Sequence, residues 1–252
     1  MVRQTKFLGG RQSEADRFLL PAIELIEKNR RAFGYRREIK VHMPQIRGKL
    51  AVLPGTFNPA LTNVSPFFAE NLSVRWAGEH FLEVGAGTGF ISILLAQRGA
   101  KVTATDMTGV AEKCVRKNVR RFKLGKKIRF VRSNLFEGVV GQKFDTIVFN
   151  PPLVPKAPTI PYGDRTTRHL VTAIFDPHSK VITGFFREAR KHLAESGRIL
   201  IIYTNLAKKM RLTEIHPITE LCKKHGFRKK TIAKKTAHGE TYSVYELKPR
   251  KV

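Results

Sequence analysis

The sequence predicts an α/β fold, a mostly parallel sheet covered by helices on both faces. Three observations predict it. From Gly78 onward, short apolar runs alternate with segments of helical periodicity. The first of those runs passes into its helix through a glycine-rich loop, Gly85-Ala86-Gly87-Thr88-Gly89. The fourth, Phe144 to Phe149, stops abruptly at Asn150-Pro151-Pro152-Leu153. A turn of that kind stands at the carboxyl edge of a sheet, where open α/β folds take their ligands.

Residues 13–33 read as a helix. Ser13 and Asp16 offer an N-terminal cap, and Phe18, Leu19, Ala22, Ile23 and Ile26 make an apolar face. Pro21 either kinks this helix or delays its start, and Gly34 closes it. Residues 38–53 alternate in places and predict one or two short strands. Leu53 to Pro59 is a loop by its proline and glycine content, and Ser65 to Leu72 begins a helix with Phe67 and Phe68 inward. Strands then follow at 80–84, 101–105, 128–131, 146–149 and 198–203. Helices are expected at 90–98, 110–122, 182–193 and 215–225, the last stopped by Gly226. Thr241 to Leu247 alternates as an edge strand does. Residues 155–168 read as a long irregular loop beside the site. Within it, Lys156 and Arg165 can hold a phosphate or pair with Asp164, and Tyr162 can stack on a base or anchor the loop. The chain thus divides into an N-terminal extension, 1–54, a candidate substrate-recognition element, and a main domain, 55–252.

Glycine permits positive φ and lets backbone approach a ligand closely. Dinucleotide-binding folds also carry a glycine-rich loop, spaced Gly-x-Gly-x-x-Gly; here the spacing is Gly-x-Gly-x-Gly. Glu83 precedes the first of these glycines, where a carboxylate disfavours a pyrophosphate and suits a cation. Asp106 closes the second strand, where a carboxylate can accept both hydroxyls of a ribose.

The two prolines after Asn150 make a stiff turn. Proline has no N–H for a ladder and fixes its own φ, and the second pushes the first out of the α region. The turn presents the Asn150 side-chain oxygen together with the Pro151 carbonyl. Two acceptors so placed can take both N–H protons of a planar amine, stabilising positive charge that grows on its nitrogen. Such a nitrogen has to lie roughly 3–3.5 Å from the carbon it attacks, and no strong base is needed before transfer.

With both motifs in place, the chain resembles a class I S-adenosylmethionine-dependent methyltransferase. The resemblance is to the branch with an Asn-Pro-Pro-aromatic motif, which includes release-factor glutamine methyltransferases and amino-methyltransferases of rRNA, tRNA and DNA bases. It runs from about Gly55 to Leu247. It implies a Rossmann-like, doubly wound, seven-stranded sheet with an antiparallel C-terminal strand. It implies S-adenosyl-L-methionine as cofactor, with Gly85, Gly87 and Gly89 passing under the methionine and ribose and Glu83 preceding them. Asp106 would bind the ribose, with Met107 beside the adenine. Ser133-Asn134-Leu135-Phe136 matches the adenine-contacting segment, with Asn134 where the family has Asp. Asn150, Pro151, Pro152 and Leu153 match the catalytic motif, with Leu153 where the family has an aromatic ring that stacks on the substrate. The implied activity is methyl transfer to a planar amino nitrogen, the exocyclic amine of an RNA base on the leading reading. A glutamine of a translation release factor or ribosomal protein is the alternative, supported by Leu153-Val154-Pro155. A non-catalytic RNA-binding module on the same scaffold and a nicotinamide-dependent dehydrogenase are further readings.

Composition bears on partners. The 252 residues carry a formal net charge of +27, a field that attracts polyanions and points to RNA or the ribosome, or else makes a solvated cationic surface. The cations cluster at Arg30 to Lys40, at Arg116 to Lys127 and at Lys223 to Lys235. Cys114 and Cys222 have no spacing partner, as for reduced thiols in the cytoplasm. The histidines show no metal-ligand spacing, so no metal is expected. No run of eighteen apolar residues exists, and no secretory pattern opens the chain; a cytoplasmic protein without a membrane span is expected.

Overall fold

The computed structural model describes residues 19–34, 37–156, 164–212, 217–237 and 239–250. Helix α1 (Leu20–Phe33) has Pro21 in its first turn and buries Ala22, Ile23 and Ile26. A proline there forfeits no hydrogen bond, so Pro21 starts the helix and does not kink it; the expected cap at Ser13 and Asp16 lies outside the described residues. An antiparallel hairpin follows, β1 (Ile39–His42) with β2 (Lys49–Val52). A 3-10 turn at Pro59–Leu61, whose Asn58 side chain accepts from the Ala60 N–H, leads into α2 (Val64–Glu70), where Phe67 and Phe68 are buried.

The β-α alternation then follows, with one helix, at Arg165–Ile174, that its periodicity does not predict. Strands β3 (His80–Val84), β4 (Lys101–Asp106), β5 (Ile128–Arg132), β6 (Phe144–Phe149) and β7 (Leu193–Thr204) pair in parallel. Between them run α3 (Phe90–Gln97), α4 (Gly109–Arg121), α5 (Arg165–Ile174) and α6 (Lys180–Ala189). Short α7 (Leu206–Lys209), then α8 (Pro217–Lys224), lead to an antiparallel hairpin of β8 (Phe227–Ala237) and β9 (Glu240–Pro249). The sheet order is β5-β4-β3-β6-β7-β9-β8, seven strands with an antiparallel C-terminal end. Alternate residues face opposite sides: Phe81, Val102, Val148 and Ile202 pack toward α2 and α3, while Leu82, Ile147, Phe149 and Ile201 pack toward α6 and α8. A third cluster joins α1 to α5 through Ile23, Ile26, Leu170 and Ile174, and includes Val154.

Four expectations need correction. Residues 155–168 are not loop throughout, because α5 begins at Arg165. Asp164 caps it, its Oδ1 accepting the Thr167 N–H at 2.7 Å, and its ion pair is with Arg30 at 3.4 Å, not with Lys156 or Arg165; Tyr162 lies outside the described residues. The helix expected to reach residue 193 ends at Ala189. Strand β7 starts at Leu193 and not at Arg198, since Ala194-Glu195-Ser196-Gly197 shows no apolar alternation. Finally, Thr241 to Leu247 is not an edge: β9 lies between β7 and β8. The edge belongs to β8, whose Arg228, Lys229, Lys230, Lys234 and Lys235 hide a strand behind charge.

Candidate active site

The strand order reverses beside β3, which has β4 on one side and β6 on the other. A crevice opens at the carboxyl ends at such a point. Both sequence motifs leave the sheet there, the glycine loop from β3 and the Asn-Pro-Pro turn from β6. Both line one cavity.

The glycine loop needs its glycines for conformation. Gly85, Gly87 and Gly89 have φ of 69°, 54° and 79°, the left-handed region that other residues enter at a cost. At Gly87 an added Cβ would meet no protein atom within 4 Å, so this backbone faces open cavity. The loop is held from both sides. The Ala86 N–H donates to the Thr105 carbonyl at 2.9 Å, and the Gly87 N–H donates to Asp106 Oδ2 at 3.0 Å. The other oxygen of Asp106 accepts from the Thr108 N–H at 2.9 Å and from Thr108 Oγ1 at 2.8 Å. Asp106 is thereby fixed at the end of β4, with Met107 beside it, 57% exposed. An apolar side chain so exposed at a cavity wall is a ready surface for a flat ring. Asn134 and Leu135 line the same wall, with Leu135 at φ 49° and Asn134 Nδ2 donating to Glu137 Oε1 at 2.8 Å.

Glu83 sits at the floor of the cavity and is buried. It accepts from the N–H of Ser92 at 2.9 Å and from the Ser92 hydroxyl. Burial pushes its carboxyl up to about 8, against the opposing pull of those hydrogen bonds. A positive charge entering the cavity would ionise it.

On the other side, Asn150 Nδ2 donates to Ser65 Oγ at 3.4 Å. With the amide nitrogen so engaged, the Asn150 oxygen is the group that can accept. Pro152 lines the cavity, while Pro151 is buried and outside the lining. Leu153 is also outside it: its N–H donates to the Ile174 carbonyl at 3.0 Å, and its side chain packs against the cluster of Phe149 and Phe185. Val154 forms a parallel bridge with Phe175, and the Asp176 N–H donates to the Val154 carbonyl at 2.7 Å. The turn is therefore sewn to the end of α5. The structure brings together Glu83, Gly85, Gly87, Asp106, Met107, Asn134, Leu135, Asn150 and Pro152. Gly89, outside the lining, caps α3, and an added Cβ there would lie 3.3 Å from Val115.

Sequence reasoning missed the remaining wall. Thr56 and Phe57, Ser65, and His169, Thr172 and Ala173 of α5 all face the cavity. Phe57 also packs against the α1–α5 cluster. Positions 169, 172 and 173 share a helical face, but this signal is weak without knowing that α5 begins at Arg165. Among the described residues, no group of His, Cys, Asp and Glu is placed to hold a metal ion.

The methyltransferase small domain family model matches residues 48–166. A protein of Methanocaldococcus jannaschii, named as an N5-glutamine methyltransferase, is 30% identical over 175 residues, covering 68% of this chain and 83% of that protein. The tRNA1(Val) (adenine(37)-N6)-methyltransferase of Porphyromonas gingivalis is 32% identical over 143 residues, covering 50% of this chain and 53% of that enzyme. Among solved structures, the 16S rRNA N2 G1207 methyltransferase of Thermus thermophilus, in complex with AdoMet and guanosine, shares the fold with a TM-score of 0.61 at 22% identity, over 85% of this chain and half of that one.

Proposed function

Because this chain belongs to the methyltransferase small domain family of S-adenosylmethionine-dependent N-methyltransferases, we propose that its acceptor is the exocyclic amine of an RNA base. The observation that carries this reading is the single cavity that holds Asp106 and the glycine loop on one side and the Asn150 oxygen on the other.

The cavity fits the cofactor. The bare backbone at Gly87, the fixed carboxylate of Asp106, the exposed Met107 and the buried Glu83 suit, in turn, close approach, ribose hydroxyls, a flat adenine and a positive charge. When bound, S-adenosylmethionine supplies a methyl group already activated by its sulfonium. The residues of the chain then have to position the acceptor and balance charge. Asn150, steered by Ser65, accepts an N–H of the amine, which favours positive charge on the nitrogen; the Pro151 carbonyl, outside the lining, is not a second acceptor. With Leu153 turned into the core, Phe57 and Pro152 are the lining groups offered to the flat face of the acceptor. The N-terminal extension, 1–54, takes part in recognition through α1, which braces α5 behind that wall.

The formal charge of +27 supports RNA as the acceptor. The second reading, a glutamine of a translation protein, is favoured by the name and coverage of the Methanocaldococcus relative. Incubation with labelled cofactor, total RNA and soluble protein separates the two readings. Label is expected in RNA; label confined to protein would end the RNA reading.

A further inference from the structure

Adjacent to the Asn150 turn, the carboxyl edge continues over β7, β9 and β8. Here the chain places its cations in succession. Helix α7 follows directly from the end of β7, one strand from Asn150, and exposes Lys208 and Lys209, with Arg211 just beyond it. Its apolar side, Leu206 and Met210, packs into the same cluster as Val154 and α5, so α7 adjoins the wall of the cavity. The hairpin tip lies next. Asn205 exchanges hydrogen bonds with Thr241, its N–H donating to the Thr241 carbonyl at 3.1 Å and its Oδ1 accepting the Thr241 N–H at 2.7 Å. Lys209 Nζ lies 3.5 Å from where a Cβ would stand on Gly239. Because β8 runs parallel to β7, its last residues reach the same edge: Lys234 pairs with Ser243 and Lys235 with Tyr242, both exposed, one on each face of the strand. The nearby acid, Glu240, accepts the Tyr242 hydroxyl at 3.0 Å. Three strand spacings separate Asn150 from this margin, about 14 Å.

We propose that Lys208, Lys209, Arg211, Lys234 and Lys235 form a track along this edge that carries the phosphodiester backbone of RNA past the Asn150 cavity. The inference rests on the reading of RNA as acceptor. Five cations succeeding one another from the cavity wall to the sheet margin match a linear polyanion. The basic face of α4, with Lys113 and Arg120, lies in the half of the sheet around β4 and β5, on the far side of the cofactor loop. It contributes general attraction but no path to Asn150.

The test compares two charge reversals in the full chain, K234E/K235E on the track and K113E/R120E on α4, each verified to bind S-adenosylmethionine like wild type. RNA affinity is measured by anisotropy across salt concentrations, and methyl transfer to RNA by label. The track predicts that K234E/K235E raises KM for RNA about tenfold with kcat nearly unchanged, and lowers the salt slope by about 0.7, the one phosphate contact of a single strand that a pair on opposite faces supplies. The α4 pair is expected to change KM less than threefold. An unaltered KM and slope in K234E/K235E, or equal losses in both variants, would overturn the track while leaving RNA as acceptor. Wild type that labels protein alone overturns the acceptor reading and the track with it.

Discussion

Asn118 engages both backbone groups of Ala51. Its Oδ1 accepts the Ala51 N–H at 2.9 Å, and its Nδ2 donates to the Ala51 carbonyl at 2.8 Å and to the Thr88 carbonyl at 2.9 Å. A fully buried side chain on α4 thus acts as a strand neighbour for β2 and ties the hairpin to the glycine loop. Asn118→Ala removes the side-chain partner of the Ala51 N–H and one donor from each of the Ala51 and Thr88 carbonyls, the former keeping the Cys114 thiol at 3.4 Å; a buried group left unmet costs ~1–3 kcal/mol. Partial relaxation brings the expected loss to roughly 2–4 kcal/mol. Urea unfolding measures it, and a cost below about 1 kcal/mol would show that the tie is not structural.

Asn150→Ala should leave cofactor affinity within about twofold and reduce kcat by roughly a hundredfold or more, the usual loss of one group that stabilises developing charge. Calorimetry and single-turnover transfer separate the two. Unchanged turnover would remove Asn150 from the chemistry. Ser65→Ala, which only releases the amide from its steering contact, should give a milder reduction of the same kind.

The carboxyl of Glu83 is raised by burial to about 8 from an ordinary value near 4.5. Between those values the folded protein holds a proton that the unfolded chain has lost. Its contribution to stability is therefore complete below about 4.5 and is lost as pH rises through about 8. The melting temperature of wild type relative to Glu83→Gln should fall between pH 5 and pH 8.5 by on the order of 10 °C, since a shift of that size carries ~4 kcal/mol at roughly 2–4 °C per kcal/mol for a domain of this size. A cation bound beside Glu83 favours its ionised form, so cofactor affinity should rise over the same range in wild type and stay flat in the variant. A pH-independent difference in both quantities would contradict the buried proton.

Phe57 and Leu153 offer opposite outcomes. Phe57 faces the cavity and Leu153 faces the core. Phe57→Ala should raise KM for the acceptor about tenfold, since one stacked base contributes ~1–3 kcal/mol, with the cofactor Kd unchanged. Leu153→Ala should lower stability by about 1–3 kcal/mol and alter KM little. The reverse pattern would return the fourth motif position to the acceptor pocket.

The glycine loop, Asp106 and the Asn-Pro-Pro turn were legible because their chemistry is local: spacing, positive φ and proline stiffness act within a few residues. The central parallel strands were legible because β3, β6 and most of β7 are buried apolar runs. Strand β8 was not, since its Lys-rich sequence lacks the alternation that a half-buried strand shows. Helix α5 was missed because its cap, Asp164, follows a proline-rich stretch, and its ion pair with Arg30 spans 134 positions. The orientation of Leu153 depends on the Ile174 carbonyl and on Phe185, contacts made only when the chain has folded.

The lysines along β8 have a second effect, on self-assembly. An outermost strand leaves one side of its backbone unpaired, and a second molecule aligning its own margin there would extend the sheet. In this protein such an approach sets rows of ammonium groups from both molecules against each other before any backbone contact forms. The margin that could nucleate filaments is thereby kept repulsive toward its own kind, and high salt, by screening the repulsion, is the condition that weakens this safeguard.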